Sequence, residues 1–536
     1  MAELLNTGWP ERRVLSDENG LLVVDKPAGI PVHGGDEGLK DDVVSRLAGW
    51  FRAHGESEYL GVHQRLDKET SGVLVFTRSE HRNRDVAEAF ESHTVQKKYV
   101  ALASLAGVKA GQLKRLEGTW EDRLSKPEKG RVSVARTGGL EAVTRCRVLE
   151  QCGQRVLMEL SPVTGRTHQL RVQASARGIP IVGDSIYGGE PALRLMLHAH
   201  ELKLPKQKAW VAPIPGVFRD WLYQRPFDFE TEELKGRLLD SFFQREPLSA
   251  ESNTYRLVND LGDQLPGVCI DKFGDSAVVS LFDERASAAG EKLSGLLLDM
   301  GFSRVRVEHR ERAVTKVLSA PAVFTVQEHG ANFEVRFDDD SSVGLFLDQR
   351  ENRQRLRALS KGLRVLNLFC YTGSFSVAAA LGGARQVVSV DLSGRYLEWA
   401  KRNFELNGLT VDRHEFIQAD ATVWLEQAAR QKRVFDFIVL DPPSFSSVGK
   451  RKTFSVARDY AETASQCLRL LAPGGQLLAV TNHRKTPLPK LRSELRKAAA
   501  SAGRTVLQLK DIRSGRDCPD LLNEPHPSKS VLVRVK

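Results

Sequence analysis

Arg364-Val-Leu-Asn-Leu-Phe369-Cys-Tyr371-Thr-Gly373-Ser-Phe-Ser376 runs from an apolar stretch through a glycine turn into a helical pattern. An apolar run of this length fits a strand covered on both faces, as in parallel sheets. Strand-like runs recur downstream at Gln386-Val-Val-Ser-Val-Asp391, Phe437-Ile-Val-Leu-Asp441 and Gln476-Leu-Leu-Ala-Val-Thr481, with helical segments between them. Such alternation predicts an α/β, doubly wound, Rossmann-like sheet. Acids stand where strands end: Asp391, Asp420 after Ala419, and Asp441 before Pro442 and Pro443. A glycine turn lets a ligand approach the backbone, and a strand-end acid can grip a ribose diol. The turn lacks the Gly-x-Gly-x-x-Gly spacing, which argues against a dinucleotide.

Upstream the rhythm is different. Residues 1–225 read as short β segments with Gly/Pro turns, among them Leu21-Leu-Val-Val-Asp-Lys26, Gly72-Val-Leu-Val-Phe-Thr77, Arg155-Val-Leu-Met-Glu-Leu160 and Ile179-Pro-Ile-Val-Gly-Asp184, with a helical patch from His81 to His93. This predicts an α+β domain. Phe227 to about Ser252 is charged and amphipathic and reads as a linking helix; residues 253–345 read as a small α+β unit. The expected organisation is multidomain, in three parts: 1–225, 226–345 and 346–536. No repeat or low-complexity tract interrupts it.

Composition narrows the class. The chain has 536 residues, with 78 Lys+Arg against 68 Asp+Glu, a net charge of +10. A basic excess favours a polyanionic partner through counterion release, although solubility alone also explains a modest one. No stretch approaches the roughly 18 apolar residues of a membrane span, and the start lacks a signal-peptide pattern. Six cysteines without a Cys-x-x-Cys pair point to a reducing, cytoplasmic setting and away from a zinc knuckle. His198-Ala-His200 shares one face of a strand, but no further ligand completes a metal set; no metal is expected.

Three segments of the first part carry chemistry together. They are His63-Gln-Arg65-Leu-Asp67-Lys-Glu-Thr-Ser-Gly72, Lys97-Lys-Tyr99-Val-Ala, and Thr164-Gly-Arg-Thr-His-Gln-Leu-Arg171 followed by Gly178-Ile-Pro-Ile-Val-Gly183-Asp. In isolation the first is a polar loop entering a buried strand. Together, over about residues 15–225, they resemble the RluA family of RNA pseudouridine synthases, whose pattern places Arg171 on a strand. The resemblance implies Asp67 as the catalytic carboxylate, acting as nucleophile at C1′ or as base at C2′, without a cofactor. It implies that Arg171 pairs with Asp67, that Tyr99 lies against the uracil and helps move the C5 proton, and that Arg65 helps fill the gap left by the extruded nucleotide. Gln64 departs from the family's usual His.

Residues 250–536 resemble class I S-adenosylmethionine methyltransferases, and more finely the RlmI/RlmK type acting on 23S rRNA. Gly344-Leu-Phe-Leu-Asp-Gln-Arg350-Glu-Asn-Arg353 matches their leading signature, and Tyr255-Arg-Leu-Val-Asn with Leu265-Pro-Gly-Val-Cys-Ile-Asp matches the preceding small domain. By resemblance Phe369, Tyr371 and Gly373 line the S-adenosylmethionine loop, Asp391 takes the ribose, Asp420 the adenine side, and Asp441 the reacting end. Asn367 departs from the acid often found in that strand. Asn482-His483 stands where the RlmI branch carries a nucleophilic Cys, which disfavours cytosine C5. Asp441-Pro-Pro-Ser-Phe445 and Phe454-Ser-Val-Ala-Arg458-Asp459 resemble the RlmK branch and favour guanine N7, with an exocyclic amine second. Lys450-Arg451-Lys452 and Asn482, beside this pocket, are read as RNA contacts.

The sequence thus predicts a bifunctional RNA-modifying enzyme acting on rRNA, with tRNA open for the first half. The rivals are an RNA-binding or ribosome-assembly factor with one inactive half, and a small-molecule or protein methyltransferase with a targeting domain.

Overall fold

The computed structural model describes residues 9, 11–34, 41–107, 116–128, 130–309, 322–338, 342–443, 445–448, 451–483, 485–519 and 528–536, without the side chains of 445–448, 451–453 and 457. By contacts the chain forms two compact units, one closing at Glu246 and the other opening at Pro247.

The first unit is built on a ten-stranded sheet whose main path runs Val14–Glu18, Leu21–Lys26, Ser71–Thr77, Leu197–Lys203, Gln96–Ser104, Arg155–Pro162, Leu140–Cys152, Gly118–Leu124. Neighbours pair antiparallel except at the centre, where Ser71↔His198 and Gly72↔Ala199 are parallel. The apolar runs Leu21–Val24 and Val73–Phe76 within these strands follow from coverage on both faces. Leu22, Val24, Leu74 and Phe76 pack with Trp9, Phe51 and Phe243, while Leu21, Val23, Val73 and Val75 pack with Val86 and Ala89.

The central seam demands Gly72. Its φ is +113°, and a Cβ there would lie 2.1 Å from the Ala199 carbonyl oxygen. Neither the backbone nor its neighbour can yield, so Gly72→Ala is expected to cost about 3 kcal/mol or more in a denaturant titration. A cost under 1 kcal/mol would mean that the seam is looser than described.

The helix Thr231–Ser249 is the expected linking helix, but most of it belongs to the first unit. Phe243 meets Trp9 edge-on at 5.2 Å, and Asp240 accepts hydrogen bonds from Arg12 and Arg13 at 2.5 and 2.7 Å. Two further expectations are corrected. Ile179–Asp184 forms no strand, only an isolated bridge from Ile181 to Ala103 between turns. Arg171 lies on the helix Gln169–Ala176, not on a strand: the Thr-His turn passes through a left-handed His168 (φ +54°) and winds directly into helix.

The second unit joins what the sequence separates at residue 345. The four-stranded sheet Thr254–Asn259, Val268–Phe273, Ser276–Leu281, Arg304–His309 and the hairpin Val323–Glu328/Ala331–Arg336 share a core with the following segment, Phe273, Phe333 and Phe337 packing with Leu345, Val377 and Phe404. Buried ion pairs reinforce the join. Arg353 donates to Glu328 at 2.7 and 2.6 Å, and Asp517, held by Arg350 at 3.2 Å, accepts from the Arg256 backbone N–H at 3.2 Å.

Beyond lies a seven-stranded sheet in the order Glu415–Gln418, Gln386–Asp391, Arg364–Leu368, Phe435–Leu440, Leu471–Thr481, Lys529–Val535, Val506–Ile512. The first five strands pair parallel and the last two antiparallel. The order turns back at Arg364–Leu368, which puts a crevice at the carboxyl ends of the strands.

Candidate active sites

In the first unit a cavity of about 560 Å³ opens beside the central seam and is lined by Arg65, Asp67, Tyr99 and Arg171. The sequence places these residues far apart; the sheet brings them together. Asp67 ends the loop before Ser71–Thr77, and Arg171 donates to its carboxylate at 3.1 Å. Asp184, which sequence reasoning quotes in a motif but gives no role, holds Arg171 more firmly. Its side chain is fully buried and receives the guanidinium at 2.7 and 2.9 Å, together with the backbone N–H groups of Ile186 and Tyr187. Arg171 thereby has its Nε and one terminal nitrogen fixed before it meets Asp67.

His168 is a second residue the sequence left without a role. The Tyr187 hydroxyl accepts from Val132 N–H at 2.9 Å, so its own proton is free for His168 Nδ1 at 2.8 Å. That network assigns the proton of the neutral ring to Nε2, which faces Asp67 at 3.8 Å. Burial lowers the His168 pKa despite the nearby Asp67 charge, keeping the ring neutral. The Tyr99 phenol is pushed up, first by burial and then by the Asp67 charge, so it holds its proton. Lys26, fully buried, clips the loop from behind, its ammonium donating to the carbonyls of Pro27, Ile30 and Lys68. His198 is bound to Ser71 Oγ at 2.8 Å and faces the Ala212 carbonyl, both structural contacts.

In the second unit a cavity of about 450 Å³ lies at the strand ends, lined by Phe369, Tyr371, Asp391, Asp420, Asp441 and Asn482. Asp391 Oδ2 accepts from Tyr371 N–H at 2.8 Å and Oδ1 from Ser393 N–H at 2.9 Å, which orients the carboxylate. Asp420 caps the helix Ala421–Arg430 through Thr422 and Val423 N–H. Asp441 has its pKa pushed up to about 7, by burial and then by the charge of Asp348, which lines the same cavity.

Gly373 does not line this cavity. It sits at φ +77° before the helix Ser374–Leu381, and a Cβ there would meet Ala400 Cβ at 2.6 Å, so packing of two helices explains the glycine. Asn367 is buried away from the cavity, donating to Ser376, which bonds Ser389. A carboxylate in that neutral chain would be costly. Gly344, at φ +102°, passes under Trp399, and Arg353 donates to the Phe346 carbonyl at 2.9 Å. Lys450 lies outside the described residues, as do the side chains of Arg451 and Lys452.

A family model described as RNA pseudouridylate synthase matches residues 20–176, and one described as S-adenosylmethionine-dependent methyltransferase matches residues 291–518. Ribosomal RNA large subunit methyltransferase I of Klebsiella pneumoniae is 32% identical over 321 residues, covering 57% of this chain and 80% of its own. The chain belongs to the ribosomal RNA large subunit methyltransferase I family. The stretch that matches the pseudouridylate synthase model lies ahead of the stretch that matches the methyltransferase model. Ribosomal RNA large subunit methyltransferase K/L of Allochromatium vinosum is 45% identical over 186 residues, 34% of this chain, and the match spans only 25% of that relative. A structure from Streptococcus mutans described as a SAM-dependent methyltransferase aligns with a TM-score of 0.53 at 24% identity, covering 68% of this chain and 98% of its own, and supports the fold.

The cofactor of the methyltransferase I family fits the second cavity. An oriented carboxylate at a strand end suits ribose hydroxyl donors, Phe369 and Tyr371 give an aromatic wall, and Asp348 with Asp441 supplies negative charge for a sulfonium cation.

Proposed function

We propose that the chain carries two RNA-modifying activities, uridine-to-pseudouridine isomerisation in the first unit and methyl transfer from S-adenosylmethionine to an RNA base in the second, with cytoplasmic 23S rRNA as substrate. The observation that carries the first activity is the Asp67 carboxylate held by Arg171 in a cavity shared with Tyr99.

In this reading Asp67 acts at the sugar of an extruded uridine, by either of its two routes. The C1′–N1 bond breaks with its electron pair leaving on the base, C5 then bonds to C1′, C5 loses a proton and N1 gains one. The balance is closed and calls for no co-reactant. Arg171 aims the Asp67 carboxylate, while Tyr99, protonated and half-buried, supports the ring. Arg65, exposed on the rim, occupies the vacated stack.

S-adenosylmethionine, when bound, supplies an electrophilic methyl group on a sulfonium. Asp391 would hold its ribose, Phe369 and Tyr371 its flank, and Asp420 the adenine side, leaving Asp441 and Asn482 towards the acceptor. Guanine N7 is the first choice of acceptor, because its own lone pair attacks and the product cation would face Asp441 and Asp348. A second reading is favoured by the proton affinity of Asp441, which suits it to take a proton from an exocyclic amine. Cytosine C5 is disfavoured, because burial and Asp391 push the Cys370 thiol well up and away from thiolate.

Mass-spectrometric mapping of rRNA from wild-type and deletion strains tests both halves. One pseudouridine and one methylated base should disappear on deletion, and the methylated nucleoside names the acceptor atom. Retention of every pseudouridine would remove the first activity, and retention of every methylated base the second.

A further inference from the structure

Lys97 is a cation in the first cavity that no part of this mechanism uses. It stands on Gln96–Ser104 two residues before Tyr99, and both side chains line the cavity. Its neighbour Lys98 points the other way and is paired with Glu201 at 2.9 Å. Lys97 itself has no carboxylate partner among the described residues; its ammonium lies against the backbone at Gly165, where even a Cβ would be 4.0 Å away. Burial lowers its pKa with no counter-charge to oppose it.

The neighbouring carboxylates and the arginines of the Thr164–Arg171 segment are committed. Asp184 and Asp67 take Arg171, and the Arg166 guanidinium donates to the Glu141 carbonyl. A partly desolvated ammonium without a counter-ion is unfavourable in the free protein and becomes favourable when an anion arrives. The chemistry that Asp67 would perform brings such an anion, because every nucleotide entering the cavity carries phosphate. We propose that Lys97 binds a backbone phosphate flanking the extruded uridine and so fixes how deeply the nucleotide enters. The inference rests on the pseudouridine reading of this cavity.

A contact to the base is the competing reading. The rise of about 3.3 Å per residue puts Lys97 roughly 7 Å along the strand from Tyr99, leaving room for the sugar between a stacked base and a bound phosphate.

The test uses the full-length protein and unmodified 23S rRNA transcript, then a synthetic stem-loop around the uridine that mapping identifies. Lys97→Met should weaken binding about tenfold and flatten the slope of log K against log salt by about 0.7, with the loss in Kd and not in the single-turnover rate at saturating RNA. Lys97→Arg should restore most of the affinity. A neutral methylphosphonate at one of the two flanking phosphates should weaken the wild type and leave Lys97→Met indifferent. Unchanged Kd and salt slope in a folded Lys97→Met protein would overturn the assignment. So would a rate loss at saturation with unchanged Kd, since that would put the ammonium on the base or sugar. If wild-type protein binds the RNA but forms no pseudouridine, the enzymatic reading fails, while the Lys97 binding comparison still has its own answer.

Discussion

Asp67→Asn is expected to lower pseudouridine formation by about 10⁴-fold while methyl transfer stays within twofold of wild type. The amide keeps the size of the carboxylate but can neither attack C1′ nor take a proton from C2′. The fold should survive, because Arg171 stays neutralised by the buried Asp184 even when Asp67 loses its charge. Tyr99 should titrate lower in the variant, since one of its two upward influences is gone. Tritium release from [5-³H]uridine RNA gives the first rate and incorporation from labelled S-adenosylmethionine the second. Residual isomerisation above a tenth of wild type would show that the carboxylate is not the reacting group.

Asp441→Asn is expected to do the reverse, cutting methyl transfer by about 10²–10³-fold and leaving pseudouridine formation unchanged. With Asp441 titrating at about 7, the wild-type methylation rate should climb as pH rises through 7 and level above it; the variant should lose that inflection. The stability effect has a defined sign. The folded-state value lies above the ordinary 3.8, so the folded form holds the Asp441 proton more tightly than the unfolded one. Its stabilising contribution is complete below about pH 4 and is lost as pH rises to 7. At pH 8 the carboxylate is charged in a poorly solvated place, and Asp441→Asn should be more stable than wild type by about 1–2 kcal/mol, with little difference at pH 4. Thermal melts at the two pH values read this directly. A variant less stable at pH 8 would mean that the ionised carboxylate has partners compensating its burial.

Much of both sites was legible because the chemistry sits in short local patterns. The strand runs at Arg364, Gln386 and Phe437 are largely apolar on both faces, and the last two end in Asp391 and Asp441, so the crevice and the acids lining it follow from periodicity and sheet topology. The illegible part depends on distant partners. Nothing local marks Asp184 as the main holder of Arg171, since the contact needs the turn at 184 to fold back on the helix at 171. The helix at Arg171 was missed because a left-handed His168 starts it, without the Ser, Asp or Asn cap that normally announces one. Gly373 reads as a ligand-approach glycine, but its neighbour is Ala400, on the next helix Gly394–Glu405. The small sheet looked separable because its strands are self-contained in sequence, whereas its core residues, Phe273 and Phe333 among them, close against Val377 and Phe404.

The long helix Thr231–Ser249 matters for anyone dividing the protein to study each activity alone. Truncation at residue 225 would strip Phe243 from Trp9 and remove Asp240 from Arg13, leaving that guanidinium its longer contact to Asp25 at 3.3 Å and baring a sticky indole that invites aggregation. Ending the amino-terminal piece after Ser249 keeps both partners in place and leaves the indole covered.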